Sequence, residues 1–167
     1  MRNKNFRDNG AAGAILDEYE KSVEDLITII QGITRKQLPH TVDNQTQDED
    51  CKSIQSILTH VVSSGYNYVI AIRKWLGESI EYRNKIVLNS LEEYEIALQK
   101  MFEFNEQLFK DYPNLHLSEH NPSKKIKVRW GQLYDIEQLF EHAIVHILRH
   151  RRQIEKFKVM LISKLDE

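Results

Sequence analysis

The amino-acid sequence predicts an all-α protein, a four-helix bundle formed by one domain over residues 1–167. Four segments repeat apolar residues at steps of three and four, and no segment shows sustained strand alternation between turn signals. The chain is 41% hydrophobic with only 6 Gly and 3 Pro, which is enough apolar material for one core. Four long helices account for most of the 167 residues, so a second domain has no room.

The first two helices are predicted at residues 12–31 and 50–76, each followed by a glycine, Gly32 and Gly77. A long polar connection joins them, and its acidic end suits the start of a helix. The apolar positions expected to be buried in the first helix are Ile15, Tyr19, Val23, Leu26 and Ile30. Those expected in the second are Ile54, Ile57, Val61, Tyr68, Ile72 and Trp75.

The third helix is predicted to begin after a capping box formed by Ser90 and Glu93, and to end near Tyr112, ahead of Pro113. A polar connection follows, in which the "KIKV" stretch is at most a short extended piece. The last helix is the longest, from about residue 132 to residue 164. Its expected buried positions are Leu133, Ile136, Phe140, Ile147, Ile154, Phe157 and Leu161.

Charge and cysteine usage predict a cytoplasmic protein that binds neither membranes nor nucleic acid. The formal net charge is −2, no apolar run approaches the length of a membrane span, and Cys51 is the single cysteine. A basic run precedes the last helix but lacks the stacked aromatic residues of a nucleic-acid site. It consists of Lys124, Lys125, Lys127 and Arg129.

Three histidines spaced by four occur in the last helix, in the stretch "EHAIVHILRHRRQIEKF". A step of four residues places imidazoles on one helix face, where two of them can bind one metal ion. His146 and His150 lie on the apolar stripe that a bundle buries, whereas His142 shares its column with charged residues and is expected at the surface. Buried imidazoles need partners, so the pair indicates either a metal site or histidines that pack with hydrogen bonds.

A third ligand has to come from another helix, and His60 is the candidate because it lies well inside the second one, in "SIQSILTHVVSSGYNYV". Periodicity places it at the boundary of the core, and Ser64, one turn on, leaves space beside it. The other histidines, in polar connections, are expected to be solvated: His40, His116 and His120. Three histidines with an open coordination position form a site of the catalytic type.

A four-helix chain with "ILTHVV" on the second helix and "HILRHRRQIE" on the last resembles the DinB/YfiT-like family of metalloenzymes. The resemblance spans nearly the whole chain, and its most specific part is the H-x-x-x-H-R-x-Q pattern. It implies an up-down-down-up bundle and a zinc or nickel site formed by His60, His146 and His150. It also implies metal-dependent transfer of a low-molecular-weight thiol or a related hydrolysis, and a homodimer. Family members often have an acidic residue where this chain has Ser64.

Two further features of the last helix have open interpretations. Gln153 can orient a ligand imidazole, or it is a polar residue at the rim of the core. The arginines Arg149, Arg151 and Arg152 can bind a substrate carboxylate, although salt bridges to Glu155 and neighbouring helices are the favoured interpretation.

Three functions are therefore compatible with the sequence. The first is a metal-dependent enzyme acting on a small thiol or electrophile. The second is a non-catalytic, stress-related bundle that stores or senses metal, with His142 as the fourth ligand. The third is a helical interaction module in which the histidines only pack.

Overall fold

The computed structural model describes residues 6–8 and 10–163 of the chain, and within them it forms four α-helices. They are α1 (Gly10–Ile30), α2 (Ile54–Trp75), α3 (Leu91–Asp111) and α4 (Ile136–Ser163). Two short antiparallel strands, β1 (Ile126–Lys127) and β2 (Leu133–Tyr134), lie between α3 and α4. The four predicted helices are thus confirmed, and the extended piece in "KIKV" is β1. The predicted end of the last helix, Lys164, lies outside the described residues.

The helices pack around one hydrophobic core, in which α1 and α2 each contact both α3 and α4. The largest fully buried side chains come from all four helices and include Tyr19, Tyr94 and Phe140. The phenol of Tyr19 meets Phe102 and Phe140 edge to face, with ring centroids 5.8 and 6.2 Å apart. The packing of α2 against α4 brings the predicted histidines to the same region of the bundle.

Side-chain caps set where α2 and α3 begin. Ser90 and Glu93 form the predicted capping box of α3. The start of α2 was predicted at Asp50, which is wrong, because Ser53 accepts from the backbone N–H of Ser56 and forms a capping box one turn later. Asp50 lies instead in a 3₁₀ turn, Glu49–Cys51, called here the 49–51 turn.

The start of α4 is a second correction, since the helix was predicted from Gln132. Asp135 Oδ1 accepts from the backbone N–H of Gln138 at 2.8 Å, and Gln138 Oε1 accepts from that of Asp135 at 3.1 Å. This reciprocal pair begins the helix at Ile136. Leu133, predicted to be buried, lies in β2 with 47% of its surface exposed.

Trp75 also differs from its predicted buried position, with 44% of its surface exposed. It is the last residue of α2, where the helix leaves the core. Its indole Nε1 donates to the carbonyl of Lys124 at 3.0 Å. The ring therefore ties the end of α2 to the connection between α3 and α4.

The connection from α2 to α3 folds back along α2. The side chain of Asn67 accepts from the backbone N–H of Arg83 at 2.9 Å and donates to its carbonyl at 3.0 Å. On the same side of α2, Trp130 from the connection before α4 packs edge to face on Tyr68. None of the helices described is both long enough and apolar enough to cross a membrane.

Candidate metal centre

His60 from α2 and His146 and His150 from α4 converge in the interior of the bundle. Nε2 of His146 lies 2.8 Å from Nε2 of His60 and 3.2 Å from Nε2 of His150. Donor atoms of the three imidazoles all lie within 4.8 Å of one another. His146 and His150 are buried and His60 is half-buried. The structure thus brings together the three histidines that the sequence singles out.

Hydrogen bonds alone cannot satisfy this cluster. The Nε2 atom of a neutral imidazole either carries one proton, which it can donate, or has one lone pair, which can accept one hydrogen bond. Nε2 of His146 faces two other Nε2 atoms, so it can serve only one of them. A buried nitrogen without a partner costs about 1–3 kcal/mol. A cation between the three atoms gives each lone pair a partner.

The surroundings of the triad keep its imidazoles neutral, which is the form that binds metal. Burial, followed by the proximity of His150 and His60, lowers the pKa of His146 to about 2. Burial and the proximity of His60 lower the pKa of His150 to about 4. Burial also lowers the pKa of His60, although Asp50 acts in the opposite direction. At neutral pH the cluster therefore presents lone pairs rather than charges.

Gln153 orients one of these ligands, as one interpretation of the sequence proposed. Its Oε1 lies 3.2 Å from Nδ1 of His150, and its Nε2 donates to the carbonyl of Cys51 at 3.3 Å. An amide oxygen can only accept, so the proton of His150 is held on Nδ1 and its Nε2 lone pair faces the cluster.

Asp50 approaches a second ligand, and sequence reasoning did not assign it to the site. Its Oδ2 lies 2.9 Å from Nδ1 of His60, within ion-pair distance. The carboxylate also pairs with Lys85. A carboxylate behind a ligand histidine fixes the tautomer that frees Nε2 and increases the basicity of the ring.

Both orienting contacts come from the 49–51 turn. Asp50 supplies the carboxylate behind His60, and the carbonyl of Cys51 holds Gln153 behind His150. The hydroxyl of Ser56 in turn donates to the carbonyl of Asp50 at 3.2 Å. One short turn before α2 therefore determines the orientation of two ligands that lie on different helices.

His142 does not lie at the charged surface, which corrects the prediction from its helix column. It is half-buried, and its ring stacks on Trp130 with centroids 5.5 Å apart. Nδ1 of His142 lies 3.3 Å from the hydroxyl of Tyr134. Trp130 and Tyr134 come from the connection before α4, and they cover a position that the helix alone would expose. In the part of the chain described, His142 does not belong to the cluster of metal-binding donors.

A cleft of about 690 Å³ opens beside the triad. Its walls come from the 49–51 turn, from α2 and α4, and from the two connections that fold over α2. The residues that line it are Asp50, His60, Ser63, Ser64, Asn67, Tyr68, Ala71, Tyr82, Arg83, Asn84, Lys85, Val128, Arg129, Trp130, His142 and His146. Such a volume lies within the range of small-molecule sites. The site thus combines metal-binding donors with space for a ligand.

The other candidate residues lie away from the triad. His40, His116 and His120 are exposed, as predicted. Arg151 pairs with Asp25 at 3.0 Å and with Glu155 at 3.5 Å, so the salt-bridge interpretation is confirmed for this arginine.

The donor set could hold one divalent metal ion. Three nitrogens around a tetrahedral ion at about 2.0–2.1 Å stand roughly 3.3 Å apart. The Nε2 of His146 lies 2.8 and 3.2 Å from those of His60 and His150, and the whole donor set lies within 4.8 Å. Imidazole nitrogens suit zinc, copper, iron and nickel, so the ligand set does not select one metal. His60, His146 and His150 are the residues that would hold the ion.

Replacing Asp50 with Asn is expected to weaken metal affinity about 10–100-fold, because loss of an outer carboxylate lowers the basicity of the ligand and frees its orientation. Competition with a chromophoric chelator measures the change. Glu49→Gln is the matched control, since Glu49 is exposed, lies next to Asp50 and pairs with Lys52 instead. Equal affinities for the two variants would contradict an orienting role for Asp50.

Comparisons of the chain with protein-family models, with curated proteins and with solved structures found no match.

Proposed function

We propose that this protein is a metal-dependent enzyme that transfers a low-molecular-weight thiol or hydrolyses a small substrate at a three-histidine divalent metal site. The observation that carries the proposal is the convergence of three Nε2 atoms beside a cleft of about 690 Å³. A triad of imidazoles leaves a tetrahedral ion one ligand short, and the cleft gives a substrate access to that position.

A bound divalent ion supplies Lewis acidity, which lowers the pKa of a thiol or a water molecule so that its anion forms near neutral pH. The residues of this chain provide the remainder of the site. His60, His146 and His150 hold the ion, while Asp50 and Gln153 orient two of the three rings. Their contacts preorganise the site before a substrate enters.

The cleft side chains position the substrate. Tyr68 and Trp130 pack edge to face and form an aromatic wall of the cleft. Burial raises the pKa of Tyr68 to about 12, so its hydroxyl stays protonated and can donate a hydrogen bond. Ser64 is small and leaves the region near His60 open.

Further parts of the proposal rest on the sequence resemblance. They are membership of the DinB/YfiT-like family, the up-down-down-up order of the helices, zinc or nickel as the metal, and a cytoplasmic homodimer. A hydrophobic stripe on the outer face of α4 is compatible with a dimer contact. Its exposed members include Val145, Leu148, Val159 and Ile162.

A metal-storage protein would enclose the ion with a fourth protein ligand. His142 is the nearest additional histidine on α4, but its Nδ1 faces Tyr134 and its ring centroid lies 6.3 Å from that of His146. Among the described residues the donor cluster contains three members, His60, His146 and His150. The open fourth position favours the enzyme.

Turnover is tested with metal-loaded protein and a panel of small thiols, electrophiles and esters, by following thiol consumption and ester cleavage. Activity that requires stoichiometric zinc or nickel and disappears with chelator is the expected result. Failure of the loaded protein to consume any thiol or ester across a broad panel would contradict the proposal.

Ser64→Leu is expected to reduce turnover at least tenfold while leaving metal content unchanged, because the larger side chain fills the cleft without replacing a ligand. Steady-state rates and elemental analysis of the same preparations measure the two effects. Ser64→Ala is the control, since it removes the hydroxyl but keeps the space. A Leu variant as active as the Ala variant would show that the cleft is not the substrate site.

A further inference from the structure

Three cationic side chains line the same cleft as the histidines: Arg83 and Lys85 from the connection between α2 and α3, and Arg129 from the connection before α4. The cleft contains one carboxylate, Asp50, which is paired with Lys85 and lies against His60. With neutral histidines, the lining has a formal charge of +2 in a chain whose net charge is −2. The cleft is therefore a local positive site on an acidic protein.

Arg83 is held in place without a carboxylate partner among the described residues. Its backbone is fixed at both N–H and C=O by the side chain of Asn67. Its guanidinium lies over Tyr66, 3.7 Å from the ring centroid, and 5.1 Å from that of Phe104. Stacking leaves the in-plane N–H groups of a guanidinium available as donors.

Arg73 is a useful comparison, because its guanidinium forms ion pairs within the fold. Its guanidinium also lies near Phe104, at 5.3 Å from the centroid, but it pairs with Glu78 at 2.8 Å and with Asp111 at 2.6 Å. Within the described residues, Arg83 has no such ion pair. The contrast separates an arginine whose donors are used by the fold from one whose donors remain available in a cleft.

Arg129 also lies over an aromatic ring and has no carboxylate partner among the described residues. Its guanidinium lies 5.2 Å from the ring centroid of Tyr82, which precedes Arg83 in the chain. Two stacked guanidinium groups thus line one cleft from two different connections. Arginine favours planar anions such as carboxylates and phosphates, which it binds through two parallel hydrogen bonds.

We propose that Arg83 and Arg129 bind a carboxylate or phosphate group of the substrate, whose reacting atom lies at the histidine triad. This inference rests on the proposed function, to which it adds a substrate class: a small anionic molecule with its negative group remote from the reacting atom. Binding energy at such a remote group positions the reacting centre. Lys85 is engaged by Asp50 and has no part in this binding.

Binding to metal-free protein tests the anion site independently of catalysis, because an anion cannot then bind to the metal. Isothermal titration compares benzoate with benzamide, and phenyl phosphate with phenol, so that each pair differs in the anionic group. We expect at least one anion to bind tenfold or more tightly than its neutral partner. The Arg83→Gln/Arg129→Gln double variant is expected to abolish this preference.

Lys127→Gln is the matched control, because it removes a nearby exposed cation that does not line the cleft. It should keep the wild-type preference, and Arg83→Lys should keep part of it. Two outcomes would overturn the anion site: no preference for either anion in the wild-type protein, or an undiminished preference in the double variant. A merely structural role for the arginines would leave the anion-to-neutral ratio unchanged.

A second comparison uses metal-loaded protein with N-acetylcysteine and its amide as the thiol. The acid should have a kcat/KM at least tenfold higher, and the double variant should remove the difference. If neither thiol is consumed while the benzoate preference persists, the proposed function fails and the anion site stands. If both are consumed equally and metal-free protein shows no anion preference, the enzyme stands and this inference fails.

Discussion

His146→Ala is expected to purify without stoichiometric metal, whereas the wild-type protein is expected to hold one divalent ion per chain. The reason is the central position of His146, whose Nε2 lies 2.8 Å from Nε2 of His60 and 3.2 Å from Nε2 of His150. Loss of an outer partner of a ligand already costs about 10–100-fold in affinity, and loss of a ligand costs more. His60→Ala and His150→Ala are expected to behave in the same way. Elemental analysis after dialysis measures the metal content.

His142→Ala is the control for these variants because it removes an imidazole from the same helix face without removing a donor of the cluster. It should retain the ion. Near-wild-type metal content in any triad variant would remove that residue from the site, and loss of metal from the His142 variant would make it a fourth ligand.

Metal-free protein is expected to lose about 4 kcal/mol of unfolding free energy between pH 7 and pH 5 through His146 and His150. Their pKa values in the fold, about 2 and about 4, lie below the ordinary value of 6.5 for the unfolded chain. As pH falls through 6.5, the unfolded chain binds protons that the folded one does not, so stability decreases. Each imidazole that stays neutral in the fold contributes about 1.4 kcal/mol per pH unit below that value. The loss continues until the pH reaches the folded pKa.

Some of the charged and titratable groups around His146 and His150 lower the pKa of these rings, and others raise it. His60, His142 and Arg149 lower the pKa of His146, while Asp48 raises that of His150 slightly. Burial is the largest cause for both, and 6% and 8% of the two residues are exposed, so solvent screens the effect little. A loss of this size is a large fraction of the usual 5–15 kcal/mol of a domain.

Urea unfolding of metal-free protein from pH 7 to pH 5 measures this dependence. The His146→Gln/His150→Gln variant is the comparison, since it keeps polar side chains of similar size but cannot titrate. Its unfolding free energy should change much less over this range than that of the wild type. Parallel curves for the two proteins would show that the triad is not the source of acid sensitivity.

The lowered pKa values of His146 and His150 also change the pH at which protons are expected to displace the metal. Free imidazole would predict a loss of metal below about pH 6. In the fold, His146 and His150 stay neutral to lower pH. Protons are therefore expected to compete for these two ligands at a lower pH than they would for free imidazole.

Sequence periodicity was sufficient to find the four helices and to place His146 and His150 in the core, but not to fix where α2 and α4 begin. His146 and His150 share one helix face by their spacing, and their apolar neighbours place that face in the core. His60 needed a tertiary contact, because periodicity left it at a boundary. The packing of α2 against α4 provides that contact.

Asp50 could not be assigned to the site from the predicted helix. In one continuous helix it would lie about 15 Å along the axis from His60 and roughly 80° away around it. The break before Ser53 changes the chain direction and brings the carboxylate to the ring. The signal available was the capping pattern of Ser53 and Ser56, which places the helix start after Asp50.

The exposure of His142 was predicted wrongly because it depends on a connection and not on the helix alone. A helix column shows which residues neighbour each other on one helix, but not which connection covers them. Trp130 and Tyr134 cover His142 from a segment with no periodic pattern. Leu133 was assigned to the helix because the Asp135–Gln138 capping pair was not recognised.

The 49–51 turn has a consequence for how such a site can diverge in evolution. The ligands lie on helices whose sequences are constrained by the core, whereas the contacts that orient two of them come from a short connection. Substitutions in that connection can change metal preference and ligand basicity while the bundle stays intact. An exchange of this turn between related bundles would then transfer metal selectivity without transferring a single ligand.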